Sequence, residues 1–576
     1  MLYRLLEERL QRAVLEVLPE ADASSILIRP CPDARHGDYQ SSAVMSLAKS
    51  LKRNPRQLAA DVLARLEVRD LCDAVEVAGA GFLNFRIRAE MLCGQVTDAA
   101  RGGHLFFTHC PNPRTIVVDF SSPNVAKPMH VGHIRSTVLG DCLNRVLRLL
   151  GHRVITDNHI GDWGTQFGKL LVGWKSNLDR AKLDSDPIGE MERIYKLVNA
   201  ASEADPAVMN AARQELVKLQ AGDAENLAIW REMIALSQRQ FDAIYSRLGV
   251  RFDHALGESF YNSKLKPVVS ELEASGLAKD SEGAKAVFFD DVPELKAHPA
   301  LVQKSDGAAN YTTTDLATLQ YRIENWKPDE IIYVTDGRQQ LHFKQLFAIF
   351  RRWHPEIKAR LVHVWFGSIL GEDGKPFKTR SGETVKLDEL LDEAQERALA
   401  VVSQKNPDLD DQSKREIARI IGIGAVKYAD LLPNRQSDYV FSWDKMLALS
   451  GNTAPYLQYA YTRTRGILRK AGEDGVPWTN SMETCVELKT EPELSLAKHL
   501  LNFGLVLEMV ASEYRPNYLC NYLYDLAAHF ARFFEQCPVL KAEPAERASR
   551  LALCDVTGRA LKEGLQILGI ETSERM

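Results

Sequence analysis

His130 and His133 stand three residues apart around Gly132, in a His-x-Gly-His tetrad that follows a β-branched run, Thr115 to Phe120, and a Ser121-Ser122-Pro123-Asn124 loop. At the start of a helix this spacing puts both imidazoles on one face. The unpaired N–H groups and positive dipole end of such a helix suit the phosphates of a nucleotide. Gly132, lacking a side chain, lets an adenine or ribose lie against the backbone. Attack of a carboxylate on an α-phosphate requires no proton removal, so the work expected of the imidazoles is charge stabilisation rather than base catalysis. With 14 His and 35 Gly in 576 residues, chance would supply the tetrad roughly 0.02 times per chain. No third ligand stands nearby at metal-binding spacing, so no metal site is expected there.

Three further groups carry potential chemistry. Tyr311 and Asp315 lie one helical turn apart, which places an aromatic ring and a carboxylate on one face. Asp119, at the end of its run, is a second acidic candidate, and Gln339 follows a strand, where α/β proteins usually bind ligands. The helix from Thr453 carries Tyr456, Tyr459, Tyr461, Arg463, Arg465, Arg469 and Lys470, an interleaving of aromatics and cations suited to splayed bases and phosphates. Each has a plainer reading: a surface Tyr–Asp contact, a loop glutamine, a core tyrosine stripe under a solvated basic face. Lys375, Lys378 and Arg380 read by themselves as a solvated turn.

The elements that must position these groups follow from periodicity and punctuation. Residues 1–110 read as a small α+β unit: an initial helix, a short strand at Ile26-Leu27-Ile28, helices at Ala43–Lys52 and Gln57–Leu66, and two glycine-joined strands between Val75 and Ile87. Residues 111–450 show strand–helix alternation, with strands at Thr115–Phe120, Val154–Thr156, Ile331–Val334 and Leu361–Val364, and a helix from Val131 to Leu150 closed by Gly151. That rhythm predicts a parallel, Rossmann-like α/β domain, interrupted by a helical insertion at about 185–260. Beyond Gln412 the chain reads as almost all helix, with segments at 412–431, 453–470, 495–513, 517–536 and 546–568.

Composition bounds the class. A 576-residue chain with 45% hydrophobic and 26% charged residues is that of a multidomain soluble protein. Its net charge of −5 gives no global basic field, although 72 Lys and Arg can supply local stripes for a nucleic acid. The N-terminus lacks an apolar signal-peptide core, and no apolar run suggests a bilayer span. The nine cysteines are scattered without a C-x-x-C pair, which predicts reduced thiols in the cytoplasm and no structural zinc.

Taken together, the segment Asp119 to His133, its continuation Ile134-Arg135-Ser136-Thr137 and the run Asn158 to Gly168 resemble the signature of the class I arginyl-tRNA synthetases. The resemblance extends to His36-Gly37-Asp38-Tyr39, to Tyr311–Asp315 and to Asn452–Tyr456, and so spans essentially the whole chain in order. It implies an α/β catalytic domain with stem-contact helices, a small α+β N-terminal domain touching the tRNA elbow, and an all-α C-terminal anticodon-binding bundle (451–576). It also implies ATP with Mg²⁺, L-arginine and tRNA(Arg) as partners, no membrane, a cytoplasmic monomer, and a first step that itself needs bound tRNA.

Site roles follow from the same resemblance. His130, Gly132 and His133 bind ATP. Lys127 takes over phosphate neutralisation, because the usual Lys-Met-Ser-Lys-Ser loop is replaced here by Gly374-Lys375-Pro376-Phe377-Lys378-Thr379-Arg380-Ser381-Gly382. Lys378 and Arg380 add charge from that loop. Asp315 pairs with the substrate guanidinium, Tyr311 packs on it and Asp119 assists. Asn124, with Ser122 and Gln339, holds the α-amino and carboxylate groups and His133 also reaches the substrate, while Tyr39, Tyr456, Tyr459 and Arg463 meet tRNA. Another class I synthetase or a nucleotidylyltransferase would keep the histidines without the Tyr311–Asp315 pocket, and a non-catalytic tRNA-binding paralogue would lack the histidines.

Overall fold

A computed structural model describes residues 1–33, 35–378, 384–479 and 485–576. They form two compact units, Cys110–Leu447 and a second made of Met1–His109 with Ala448–Met576.

The first unit is organised by four parallel strands in the order Arg360–Phe366, Glu330–Asp336, Thr115–Phe120, Arg153–Asp157. Ile116, Val117, Val118 and Phe120 are all buried; a continuous apolar run is what a strand covered on both faces requires. From the central Thr115 strand the chain passes through the helix Val131–Leu149 to the Arg153 edge. It then returns to the other side for the Glu330 and Arg360 strands. The loops leaving the Thr115 and Glu330 strands therefore diverge and open a crevice at the switch point. Ser121–Asn124 and Asp336–Gln339 lie on its two sides.

Helix Val131–Leu149 packs so closely on the sheet that a Cβ at Gly140 would come within 2.1 Å of the Phe120 ring. It ends at a left-handed Gly151, with His152 N–H bonding Leu147 O and Gly151 N–H bonding Arg148 O, the paired bonds of a Schellman cap. The helical insertion comprises Pro187–Ala204, Pro206–Gln220 and Ala224–Leu248, entered through side-chain caps from Asp186, Asp205 and Asp223. A three-stranded antiparallel sheet, Ala278–Ser281, Ala284–Val287 and Ala300–Gln303, was not expected. Its strands have four residues each, too short a pattern to register as alternation.

In the second unit, an antiparallel sheet runs Arg29–Pro30, Tyr39–Ser41, Phe82–Ile87, Cys72–Ala78. The strand expected at Ile26-Leu27-Ile28 is not formed. Ile26 and Ile28 are buried as core residues, and the Ile28 N–H is taken by Glu7 Oε2 at 2.8 Å rather than by a ladder partner. The helical part consists of Ala454–Glu473, Glu491–Leu500, Phe503–Glu513, Asn517–Gln536 and Pro544–Ile567.

The helix expected at 495–513 is thus broken at Leu501–Asn502, next to Gly504, where an added Cβ would fall 2.3 Å from Phe106 O. Glu491–Glu513 has the length and composition of a membrane-crossing helix, yet it is divided into helices of 10 and 11 residues and more than half of it is buried inside the unit.

Candidate active site

The Ser121–Ala126 loop is held in a costly conformation. Ser121, Ser122 and Ala126 all have left-handed φ values, 77°, 51° and 61°, which non-glycine residues adopt only when their surroundings over-determine them. Those surroundings are present. Ser121 N–H donates to Ser136 Oγ at 2.8 Å and its hydroxyl pairs with Tyr245 at 2.7 Å and Thr137 at 2.9 Å. Ser122 N–H donates to Asn158 Oδ1 at 3.0 Å, and Ala126 N–H donates to Ser237 Oγ at 2.9 Å. Asn124 is exposed and lies across Gly161, where a Cβ would meet its Oδ1 at 2.2 Å.

His130 and His133 cap their own helix. Gly132 N–H donates to His130 Nδ1 and the His130 N–H to His133 Nδ1, each at 3.1 Å, with ring centroids 4.0 Å apart. This is a capping box with imidazoles in place of the usual hydroxyl and carboxylate. Gly132 is needed for it, since a Cβ would stand 2.9 Å from the His130 ring; that is a second reason for the glycine beside the nucleotide contact expected from sequence. Both rings accept through Nδ1 and so carry their proton on Nε2. Burial holds both neutral. It pushes His133 down to about 3, with His130 adding, and it lowers His130, with Lys127 and Arg338 adding. Two neutral Nε2–H donors at a helix N-terminus can bind phosphate oxygens across the physiological pH range.

Across the crevice, helix Tyr311–Trp326 begins at the Asn310 cap. Asp315 accepts from His342 Nε2 at 2.5 Å and faces His159 Nε2 at 4.0 Å, while His159 Nδ1 is fixed by Leu256 O at 3.0 Å. The Tyr311 ring packs edge-on against His342, 4.8 Å between centroids, and is 60% exposed. Glu258 belongs to this cluster. Burial, Asp315 and Asp162 push its carboxyl up to about 7, against the pull of His159. Gln339 is exposed on the turn Gly337–Gln339 after the Glu330 strand.

Other expected residues stand elsewhere. Asp119 is buried and its Oδ2 accepts from Arg322 Nη2 at 2.6 Å, so a guanidinium of the chain itself already occupies it. Ser122 Oγ donates to Asp119 Oδ1 at 3.3 Å. Lys127 is exposed, its Nζ 5.4 Å from the Tyr195 ring centroid. Lys378 is exposed beside the turn at Gly371–Lys375 and bridges Thr384; Arg380 lies outside the described residues. The segment after that turn is tied to the histidines: Val131 N–H donates to Val385 O and Leu387 N–H to Met129 O, both at 2.9 Å.

In the second unit, Tyr39 is not a surface residue. It is 2% exposed in the sheet core, and burial raises its phenol; the expected loop side chain is the aromatic of a three-residue strand, Tyr39–Ser41. Its neighbour Asp38 accepts from Ile87 N–H at 2.7 Å and pairs with Lys498 at 2.8 Å, so His36-Gly37-Asp38-Tyr39 is a structural joint. On helix Ala454–Glu473, Tyr461 is buried and donates to Glu574 at 2.6 Å, and Arg465 pairs with the same carboxylate. Tyr459 and Arg463 face outward. The guanidinium lies 5.0 Å from the Tyr459 ring and 5.5 Å from the half-exposed Phe534, beside a cavity of about 480 Å³. Tyr456 is half-buried against Tyr524.

Glu258, His159, His342 and Arg322 were missed. His342 sits in the quoted run after the Glu330 strand, and Arg322 is seven residues past Asp315 on its helix, a spacing that repeats the face. His159 stands in the quoted run Asn158 to Gly168, where no role was given to it, and Glu258 opens a one-turn 3-10 helix, Glu258–Tyr261, too short to carry a periodic signal.

A strained loop and an imidazole-capped helix at the switch point of a parallel sheet define a class I nucleotide-binding catalytic domain, and comparison with known proteins agrees. A family model described as tRNA synthetases class I (R), catalytic domain, matches residues 95–443; models of the DALR anticodon binding domain and the arginyl tRNA synthetase N terminal domain match 457–576 and 4–87. The chain belongs to the arginyl-tRNA synthetases. It is 45% identical over 583 residues to the arginine–tRNA ligase of Chromobacterium violaceum, covering 100% of both chains, and 45% identical over 580 residues to that of Klebsiella pneumoniae, covering 99% of each. The Thermus thermophilus arginyl-tRNA synthetase structure superposes with a TM-score of 0.85 at 28% identity over 100% of both chains. That of Plasmodium falciparum gives 0.83 at 26%, over 100% of this chain and 99% of that one.

Proposed function

We propose that this chain joins L-arginine to tRNA(Arg) in two steps, with Asp315 and Glu258 as the guanidinium partners and the Nε2–H groups of His130 and His133 as the phosphate donors. The observation that carries the reading is the carboxylate–histidine cluster of Asp315, Glu258, His159 and His342 across the crevice from two neutral imidazoles at a helix N-terminus. A cationic side chain fits the first group and a triphosphate the second.

In the first step an arginine carboxylate oxygen attacks the α-phosphorus of MgATP and pyrophosphate leaves. His130 and His133 stabilise the charge that builds on the phosphate oxygens, and Lys127, swinging from Tyr195, neutralises the leaving group, with Lys378 and Arg380 adding charge. Mg²⁺ enters with ATP as the counter-ion of its phosphates. Ser122, Asn124 and Gln339, around the strained loop and the facing turn, receive the α-amino and carboxylate groups. In the second step a terminal ribose hydroxyl of tRNA attacks the adenylate carbonyl and AMP leaves, while Tyr459, Arg463 and Tyr456 take splayed bases of the RNA. The reading extends to a cytoplasmic location, supported by nine cysteines of which none forms a disulfide, and to a monomer without a membrane partner, checked by sedimentation.

Aminoacylation with each amino acid in turn tests the proposal: charging confined to arginine is expected, and an Asp315→Ala variant with unchanged arginine KM would overturn the pocket assignment.

A further inference from the structure

Asp119 and Asp157 end adjacent parallel strands and sit opposite one another in register. Two carboxylates so placed repel unless a cation bridges them. Arg322 does so: its Nη2 donates to Asp119 Oδ2 at 2.6 Å and to Asp157 Oδ2 at 2.8 Å, and the side chain is fully buried over the Tyr333 ring. The remaining oxygens are also committed. Asp119 Oδ1 accepts from Ser122 Oγ at 3.3 Å, and Asp157 Oδ1 from Leu256 N–H at 3.2 Å. Leu256 is the residue whose carbonyl fixes His159, which in turn faces Asp315 at 4.0 Å.

Arg322 lies on the Tyr311–Trp326 helix, two turns beyond Asp315 and on the same face. We infer that Arg322 is a positioning and specificity residue of the amino-acid site: a built-in guanidinium that fills the Asp119–Asp157 pair, withdraws both carboxylates from the substrate, and fixes Asp315 against the Ser122–Asn124 loop. The side chain that would otherwise compete with the substrate for these carboxylates is of the substrate's own chemical kind. Nη2 alone makes these bonds, Nε and Nη1 being buried without a hydrogen bond, and the planar group is held in place over the Tyr333 ring; an ammonium on a flexible stem is fixed less firmly. The inference rests on the assignment of Asp315 to the substrate guanidinium.

The test is Arg322→Lys in the full-length chain, read by steady-state aminoacylation. Arginine KM should rise by about 10- to 100-fold, the cost of misplacing a recognition group, while ATP KM moves by less than about twofold. Adding Asp119→Asn to that variant should return arginine KM toward wild type, because a single ammonium then faces one carboxylate. An unchanged arginine KM in Arg322→Lys overturns the inference, as does an equal rise of arginine and ATP KM or a failure of Asp119→Asn to restore it. If Arg322→Lys does not fold, direct arginine binding to the Arg322→Met/Asp119→Asn pair decides: binding weakened at least tenfold supports it and wild-type binding overturns it. An Asp315→Asn variant with normal arginine KM would instead remove the assignment on which the inference rests.

Discussion

His342 Nε2 lies 2.5 Å from Asp315 Oδ2, and the Tyr311 ring closes on the far side of the same imidazole at 4.8 Å. The imidazole therefore holds one carboxylate oxygen and leaves the other, Oδ1, facing His159 and the crevice. A guanidinium entering the site meets a carboxylate whose orientation is already fixed.

Replacing His342 with Phe keeps a flat ring beside Tyr311 and Phe343 but removes the donor. Loss of a hydrogen bond to a charged group is worth about 1.5–3 kcal/mol, so arginine KM should rise by about tenfold or more. ATP KM should stay near wild type, because the phosphate donors lie on the other side of the crevice. An arginine KM within experimental error of wild type would show that Asp315 needs no such support.

The Glu258 carboxyl, pushed up to about 7 by burial first and by Asp315 and Asp162 after it, makes arginine binding pH-dependent. Below that value the empty site holds Glu258 protonated; a guanidinium favours the ionised form, so binding must expel the proton. Arginine affinity should therefore fall as pH drops from 8 to 6, with close to one proton released per arginine at pH 6 and almost none at pH 8.5. Calorimetry in buffers of different ionisation enthalpy measures that number directly. Glu258→Gln should bind about 10- to 150-fold more weakly above pH 8 and should release no proton at pH 6.

The two imidazoles behave differently from a general base. Burial holds both below the ordinary histidine value, His133 down to about 3, so neither imidazole should add a limb to the pH profile of kcat above pH 7. His133→Ala should lower kcat by about 10²–10³, the usual cost of removing one transition-state donor. His130 carries a second duty as the helix cap. His130→Ala should also lose about 1 kcal/mol of stability, whereas His130→Asn, which keeps an acceptor at the cap, should fold like wild type while kcat remains low. A wild-type kcat in His130→Asn would mean that the ring serves the helix alone.

These expectations depend on features of unequal visibility in the sequence. The Thr115 strand, its loop and the histidine helix were legible because an apolar run, a glycine stop and a three-residue histidine spacing are local signals, and the structure places each within a residue of the expected bounds. Tyr311 and Asp315 were legible as a helical pair. What encloses them was not. His159, in a loop, and Glu258, on a one-turn helix, come to Asp315 from segments remote in sequence, and Asp119 looked available because nothing local reveals that Arg322, 203 residues away, fills it. Tyr39 failed for the opposite reason: a three-residue strand is too short to show which face its aromatic takes. Local chemistry can be read from spacing; burial and counter-charge are tertiary properties.

The outward face of helix Ala454–Glu473 supplies the last prediction. Tyr459 is 46% exposed, Arg463 lies over its ring and over Phe534, and Lys470 lines the same cavity of about 480 Å³. A base can stack on either ring, and such stacking contributes about 1–3 kcal/mol per base. Tyr459→Ala and Phe534→Ala should each raise tRNA KM by about 5- to 150-fold, leaving arginine and ATP KM unchanged. Tyr461→Phe, altering a buried ring whose hydroxyl is spent on Glu574, should leave tRNA KM alone and cost only stability. Weaker binding should also appear in ATP–pyrophosphate exchange if that step needs bound tRNA: at subsaturating tRNA the Tyr459→Ala rate should fall, and saturating tRNA should restore it. Full exchange in the absence of RNA would disconnect this surface from the first step.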